Sequence, residues 1–314
     1  TLCREYGIRV GVHNHPQENN RYWHPDKVIE QIAGRDPMIG INPDLGHWMR
    51  MGVDPVEQLK RPEVGKRIVG VTTSNKRLRE PLPRERLRNL AGSSFVAARR
   101  RAKFLLLDLD SGPTLLVHLG MSGNLLFRLG GEKHDHAIFE LDDGPPLVYS
   151  DPRRFGMILI LAPDELETNT YLDRLGVEPL DGSFDADYLR ARCKDRSRPI
   201  KSLIMDGHIV VGVGNIYASE ALFRAGIRPT TPAGRIGKQR IERLVTAIKE
   251  ILSAAIRQGG TTVRTYKGTG DGGHFQQQLS VYGRANENCL VCDRPIESLV
   301  LAGRSTFYCR RCQK

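Results

Sequence analysis

Cysteine is scarce outside one short stretch: of six in 314 residues, only Cys3 and Cys193 lie elsewhere. Two such residues make no disulfide framework, so a cross-linked scaffold is excluded and a reducing compartment fits. No apolar run approaches the roughly 20 residues of a membrane span, and the first residues lack the charged-then-apolar pattern of a secretion signal. The expectation is a soluble, cytoplasmic protein. Internal repeats and low-complexity segments are also missing, which excludes a solenoid. Acidic side chains are outnumbered, 36 Asp and Glu against 47 Lys and Arg, for a net charge of +11. The surplus is uneven, since residues 1–60 hold 7 basic and 8 acidic side chains and residues 61–314 hold 40 and 28, a net of +12. A field of that sign and size points to nucleic acid.

The remaining cysteines form two C-x2-C pairs, Cys289/Cys292 and Cys309/Cys312. Each pair brings two thiolates to one metal from a tight knuckle, and two knuckles complete a closed tetrahedral set with no open position for catalysis. One structural Zn2+ is expected; two disulfides would be the alternative and would need an oxidising compartment. Between the knuckles Arg304, Ser305, Thr306, Phe307 and Tyr308 suit a hairpin, with Arg310, Arg311 and Lys314 beside it. Cations presented rigidly in this way suit phosphate.

Read in order, the chain opens with strand-like Ile8–Val12, helix-like His24–Ala33, strand-like Met38–Ile41 and a short helix after Asp54-Pro55. His13, Asn14 and His15 follow the first strand, and Asp44 and His47 follow the second. These are positions where parallel (β/α)8 barrels place their ligands. The segment resembles the sugar-phosphate isomerase/epimerase family, Asp44-x-x-His47 resembling its metal-binding pair, over about a quarter of such a barrel. From Lys66 to Leu161 short β-rich runs alternate with Asp-Gly-type turns, predicting a β-sandwich or barrel. Three polar insertions are expected to interrupt it, at Arg99–Lys103, His118–Gly123 and Asp151–Gly156. Singly, Met121 and Phe155 read as core residues. In their Gly- and Arg-flanked turns they read equally as wedges for a base stack.

Beyond Pro163 the signals are helical: Asp185–Cys193, Lys201–Met205, Ile216–Ala225 after Gly212-Val213-Gly214-Asn215, and Lys238–Gln258. The last helix gathers Ile241, Leu244, Val245, Ile248, Ile251, Leu252 and Ile256 on one face. A Gly-rich polar loop follows over Thr261–His274.

Residues 64–314 resemble the formamidopyrimidine-DNA glycosylase family. The motifs that carry the likeness are Arg101-Ala102-Lys103, His118-Leu119-Gly120-Met121-Ser122-Gly123, Lys133-His134-Asp135-His136, Asp151-Pro152-Arg153-Arg154-Phe155-Gly156, Gly212 through Glu220, and the closing ribbon. The resemblance implies an α+β multidomain chain with a partial βα segment at 1–62, a truncated β-sandwich glycosylase domain at 63–165, a helix-two-turns-helix domain at 166–285 and a zinc finger at 286–314. It further implies a monomer that binds damaged double-stranded DNA between its lobes near the nucleoid, with no membrane contact, recognises oxidised purines, excises the base and nicks the abasic site. Lys103, His134, Asn215, Tyr282 and Arg304 would grip phosphates beside the lesion, with Arg154 in the same DNA-binding set and Lys103 supporting catalysis. Met121, Arg153 and Phe155 would fill the gap left by the extruded nucleotide. Lys201 would lie near the damaged base, and Thr261–His274 would cap it.

One departure bears on catalysis. The family's mature chain begins Pro-Glu, and the proline amine attacks the sugar C1'; an amide nitrogen cannot form that Schiff base. Here Pro62-Glu63-Val64 echoes that opening but follows Arg61 inside the chain. The nucleophile and general acid therefore read as missing, and a damaged-DNA-binding protein without chemistry is the alternative expectation.

Overall fold

The structure is a computed structural model that describes residues 10–13, 39–42, 67–257 and 279–314. The chain divides into two compact units, one up to Asn169 and one from Thr170 onward. At the start, β1 (Val10–His13) and β2 (Ile39–Asn42) pair in parallel, Val10 opposite Ile39. The expected helix at His24–Ala33 and the pair Asp44 and His47 lie outside the described residues.

The first unit is a sandwich of two four-stranded antiparallel sheets. Its elements are β3 (Ile68–Thr73), α1 (Arg84–Arg88), β4 (Phe95–Arg101), β5 (Phe104–Leu109), β6 (Thr114–His118), β7 (Asn124–Phe127), β8 (Asp135–Leu141), β9 (Leu147–Ser150), β10 (Met157–Leu161) and α2 (Pro163–Glu167). One sheet runs β10-β6-β5-β4 and the other β3-β8-β9-β7. Strands alternate their side chains between faces. The inward set from both sheets meets in one core that includes Ile68, Phe95, Leu107, Leu115, Phe127, Phe139, Leu147 and Ile158. Fully burying a side chain of this size stabilises by about 1.5–3 kcal/mol.

The first expected insertion is not one. Arg99, Arg100 and Arg101 belong to β4, which among the described residues lies at the end of its sheet beside β5, and the chain turns at Ala102 with φ +55°. A strand with one bonded neighbour tolerates arginines that an interior strand would not. Arg99 forks onto Asp108 of β5, with Nε–Oδ2 and Nη2–Oδ1 both at 2.7 Å.

In the second unit, α3 (Thr170–Asp173), α4 (Ala186–Cys193), α5 (Ile200–Ile204), α6 (Asn215–Arg224) and α7 (Lys238–Arg257) precede the ribbon strands β11 (Glu297–Leu301) and β12 (Arg304–Tyr308). Asp185 caps α4 by accepting the Tyr188 N–H at 2.7 Å. Along α7 the buried stripe Ile241, Leu244, Val245, Ile248, Ile251 and Leu252 follows helical periodicity and packs against α6 and α4. Ile256, expected on that face, is 39% exposed in the last turn of α7, although the adjacent Ala255 is buried. The ribbon strands join through Ala302 and Gly303, both at positive φ, the backbone of a tight hairpin turn.

Candidate nucleic-acid interface

In the first unit two turns interlock. Gly120, at φ +65°, lies so close to the second turn that a Cβ there would sit 2.6 Å from the Gly156 nitrogen. A Cβ on Gly156 would collide with the Tyr149 hydroxyl and the His118 carbonyl. Backbone therefore meets backbone, which only glycine permits. Asp151, completely buried, accepts from Ser122 Oγ at 2.6 Å, from the Gly156 N–H at 2.8 Å and from the Arg153 N–H at 3.2 Å. Held in this way, Met121 stands 65% exposed and Phe155 50% exposed, so neither is a core residue. Exposed Arg153 lays its guanidinium 5.0 Å from the centre of the Phe155 ring. Arg154, also exposed, takes φ +60° between them.

His134, half-buried in the turn just before β8, receives the Asp151 N–H on its carbonyl at 3.0 Å. Nearby, His118 packs its ring at a tilt against Phe104, centres 5.1 Å apart, and accepts the Gly120 N–H on Nδ1 at 2.9 Å. Burial first, then the charges of Arg79 and Lys103, push its pKa down to about 4, so the ring is neutral and Nδ1 stays an acceptor. Lys103 is exposed in the β4–β5 turn.

The second unit gathers Lys201, Asn215, Tyr282 and Arg304 around the ribbon hairpin. Asn215 begins α6 after the cap residue Gly214, and its Nδ2 donates to the Ser305 carbonyl at 3.0 Å. The N–H groups of a helix's first turn and the positive end of its dipole favour an anion at such a position. Arg304 is exposed at the start of β12. Tyr282 meets Phe307 edge-on at 5.1 Å. Its backbone N–H donates to Glu220, whose buried carboxylate also takes the N–H groups of Ser280 and Val281. Lys201 differs from the other three, being 1% exposed, with Nζ donating to Thr306 Oγ1 at 2.8 Å and to the Ser305 carbonyl at 3.3 Å. Its position supports the hairpin from beneath. The expected capping loop at Thr261–His274 lies outside the described residues.

The four ribbon sulfurs lie within 4.8 Å of one another, Cys289 Sγ to Cys312 Sγ at 3.9 Å and Cys292 Sγ to Cys309 Sγ at 3.4 Å. A tetrahedron of thiolates about 2.3 Å from zinc has edges of about 3.8 Å, so the set fits one ion. All four cysteines are free, so the disulfide alternative is set aside. The Arg294 N–H heads the donors that lower the Cys292 thiol to about 7, whereas burial raises those of Cys309 and Cys312. Gln313, fully buried, takes the Cys309 N–H on Oε1 at 2.9 Å and donates Nε2 to the Ile227 carbonyl at 2.8 Å, fixing the second knuckle beside the end of α6.

Sequence motifs contained Asp151, Ser122, Glu220 and Gln313 but assigned them no task. The available signal was a carboxylate or amide set among glycines and apolar residues, where burial without a polar partner is costly.

Three family models match the chain: the formamidopyrimidine-DNA glycosylase N-terminal domain over residues 55–158, the formamidopyrimidine-DNA glycosylase H2TH domain over 175–267, and the zinc finger found in FPG and IleRS over 286–314. The formamidopyrimidine-DNA glycosylase of Acidithiobacillus ferrooxidans is 45% identical over 254 residues, covering 80% of this chain and 93% of that protein. Its counterpart in Janthinobacterium is 47% identical over 257 residues, with the same two coverages, 80% and 93%. A variant of the Lactococcus lactis FPG, solved with DNA containing Fapy-dG, superimposes with a TM-score of 0.74 at 30% identity, covering 87% of this chain and 100% of that one. The Thermus thermophilus MutM (FPG) protein gives a TM-score of 0.71 at 35% identity, over 86% and 98%.

Proposed function

The chain belongs to the formamidopyrimidine-DNA glycosylase family, and on that footing we propose that it recognises oxidised purines in double-stranded DNA for base-excision repair. The observation that carries the proposal is the exposure of Met121 and Phe155 on turns locked by a buried carboxylate. Large apolar side chains held rigidly in solvent suit a space that opens only when a base leaves the stack. Arg153, beside Phe155, is suited to face the orphaned base, while Lys103, His134, Arg154, Asn215, Tyr282 and Arg304 supply cations and N–H or O–H donors for phosphate. The solved Lactococcus lactis complexes, with Fapy-dG DNA and with abasic DNA, support the substrate class. The zinc, which would be held by Cys289, Cys292, Cys309 and Cys312, supplies rigidity alone, since four thiolates leave no position for substrate.

Base removal by this family needs an amine at the sugar C1', and in this sequence the Pro62 nitrogen is an amide behind Arg61. Pro62 becomes a nucleophile only if the chain is cut before it. Acting on DNA places the protein in the cytoplasm with the nucleoid, as a monomer. For residues 1–62 the reading remains a βα segment resembling an isomerase barrel, supported by the parallel pairing of β1 with β2.

Borohydride trapping on an 8-oxoguanine duplex tests the whole reading. The uncut chain is expected to bind the duplex without a covalent adduct, and a chain cut before Pro62 to form one. An adduct formed efficiently by the uncut chain would refute the assignment of the amine, and peptide mapping would identify the true one. Equal affinity for damaged and undamaged duplexes would refute the function.

A further inference from the structure

Asp151 reaches further than any one turn requires. Its Oδ1 takes the Ser122 hydroxyl at 2.6 Å, from the turn that carries Met121. The Arg153 and Gly156 N–H groups, which bracket Phe155, go to Oδ1 at 3.2 Å and Oδ2 at 2.8 Å. Ser122 Oγ itself accepts the Arg153 N–H at 3.1 Å, closing a small ring of bonds between the turns. The backbone of Asp151 is equally committed, its N–H donating to the His134 carbonyl at 3.0 Å. Its carbonyl faces His136 Nε2 at 2.9 Å, and His136 Nδ1 reaches Ser74 Oγ at 3.0 Å. No ion pair of Asp151 with Lys or Arg occurs among the described residues, so N–H and O–H donors compensate its charge.

We propose that Asp151 is a positioning residue that makes Met121, Arg153 and Phe155 a single insertion unit, so that filling the vacated space is one cooperative event and not three independent contacts. The inference rests on the reading of these side chains as gap fillers. Asp151, with no exposed surface, touches no DNA and acts only through the two turns. A loose Met121 turn would pay its ordering entropy at the moment of binding; a turn bonded to its neighbour has paid it on folding. Loss of a buried, charge-assisted bond on either side should therefore weaken both wedges together.

The test measures affinity of the full chain for a duplex with a tetrahydrofuran abasic analogue and for its undamaged counterpart. Asp151→Asn places an amide where a carboxylate meets three donors, and is expected to lower the preference for the abasic duplex by about ten-fold or more. Undamaged binding should stay within about two-fold, since phosphate contacts carry it. A purely structural role would instead lower both affinities alike, and that result would overturn the proposal. Ser122→Ala, which removes the two bonds of the hydroxyl to the other turn and leaves the Asp151 carboxylate in place, supplies the second readout and covers a failure of Asp151→Asn to fold. In the otherwise unchanged chain, Met121→Ala and Phe155→Ala should be non-additive, the double variant losing little more preference than either single one. In the Ser122→Ala background the two losses should become additive. Additivity in both backgrounds would also overturn the proposal. Failure of the unchanged chain to prefer the abasic duplex would sink the gap-filling reading, and with it this inference; preference retained by Asp151→Asn would sink this inference alone.

Discussion

Replacing Lys201 with methionine should change how the stability of the helical unit depends on pH. The Lys201 side chain is 1% exposed, its ammonium faces the neutral oxygens of Ser305 and Thr306, and burial, followed by the charge of Arg304, lowers its pKa from 10.5 to about 8. An unfolded lysine keeps its proton to about pH 10.4. Between those two values the unfolded chain binds one proton more than the folded one, so stability rises with pH across that window and is lowest below it. From about pH 7 to about pH 9.5 the gain is roughly 2 kcal/mol, at about 1.4 kcal/mol per unit above pH 8. Lys201→Met keeps much of the volume and removes the titration. Urea unfolding of both proteins, followed by circular dichroism at helix wavelengths, reports the unit that holds α4 to α7. The unchanged protein should gain stability over the variant by roughly 2 kcal/mol on going from the lower pH to the higher. Parallel pH profiles for the two proteins would show that the ammonium is not buried as described.

Removing zinc with a chelator, or making Cys309→Ala, should abolish DNA binding, because the hairpin carrying Arg304 is tied to the knuckles; unchanged affinity with no metal by elemental analysis would refute this. Arg304→Ala should weaken binding to every duplex sequence and reduce the slope of log affinity against log salt by about one, which a titration from low to physiological salt checks. Met121→Ala and Phe155→Ala should each spare binding to undamaged DNA while cutting the preference for an abasic duplex, since unstacking costs a few kcal/mol and only the wedges offset it. Equal loss on both duplexes would contradict their 65% and 50% exposure.

Local patterns carried most of the architecture. The stripe on α7, the Asp185 cap and the short β-rich runs of the sandwich are each written within one unbroken stretch of chain, so they are legible. Strand β4 was missed because three successive arginines look like a loop until its edge position is known. Helix α1 has five residues after Pro83, too few for a period to show. At the site, the cysteines and the two glycine turns announced themselves by spacing. The groups that hold them in place did not: Ser122 meets Asp151 across 29 residues, Val281 meets Glu220 across 61, and Gln313 meets Ile227 across 86. Bonds that long leave no periodicity. The burial of Lys201 is equally illegible, because it depends on Thr306, 105 residues away.

The glycines of the interlocked turns also bear on which sequence changes the protein can survive. A methyl group on Gly120 would lie 2.6 Å from the backbone of Gly156, and one on Gly156 would overlap the Tyr149 hydroxyl. Neither neighbour can give way without parting the two turns, because one is main chain and the other is a fully buried ring. The smallest possible substitution at either glycine would therefore be felt at Met121 and Phe155, on the solvent side of the turns, before it was felt in the sandwich core.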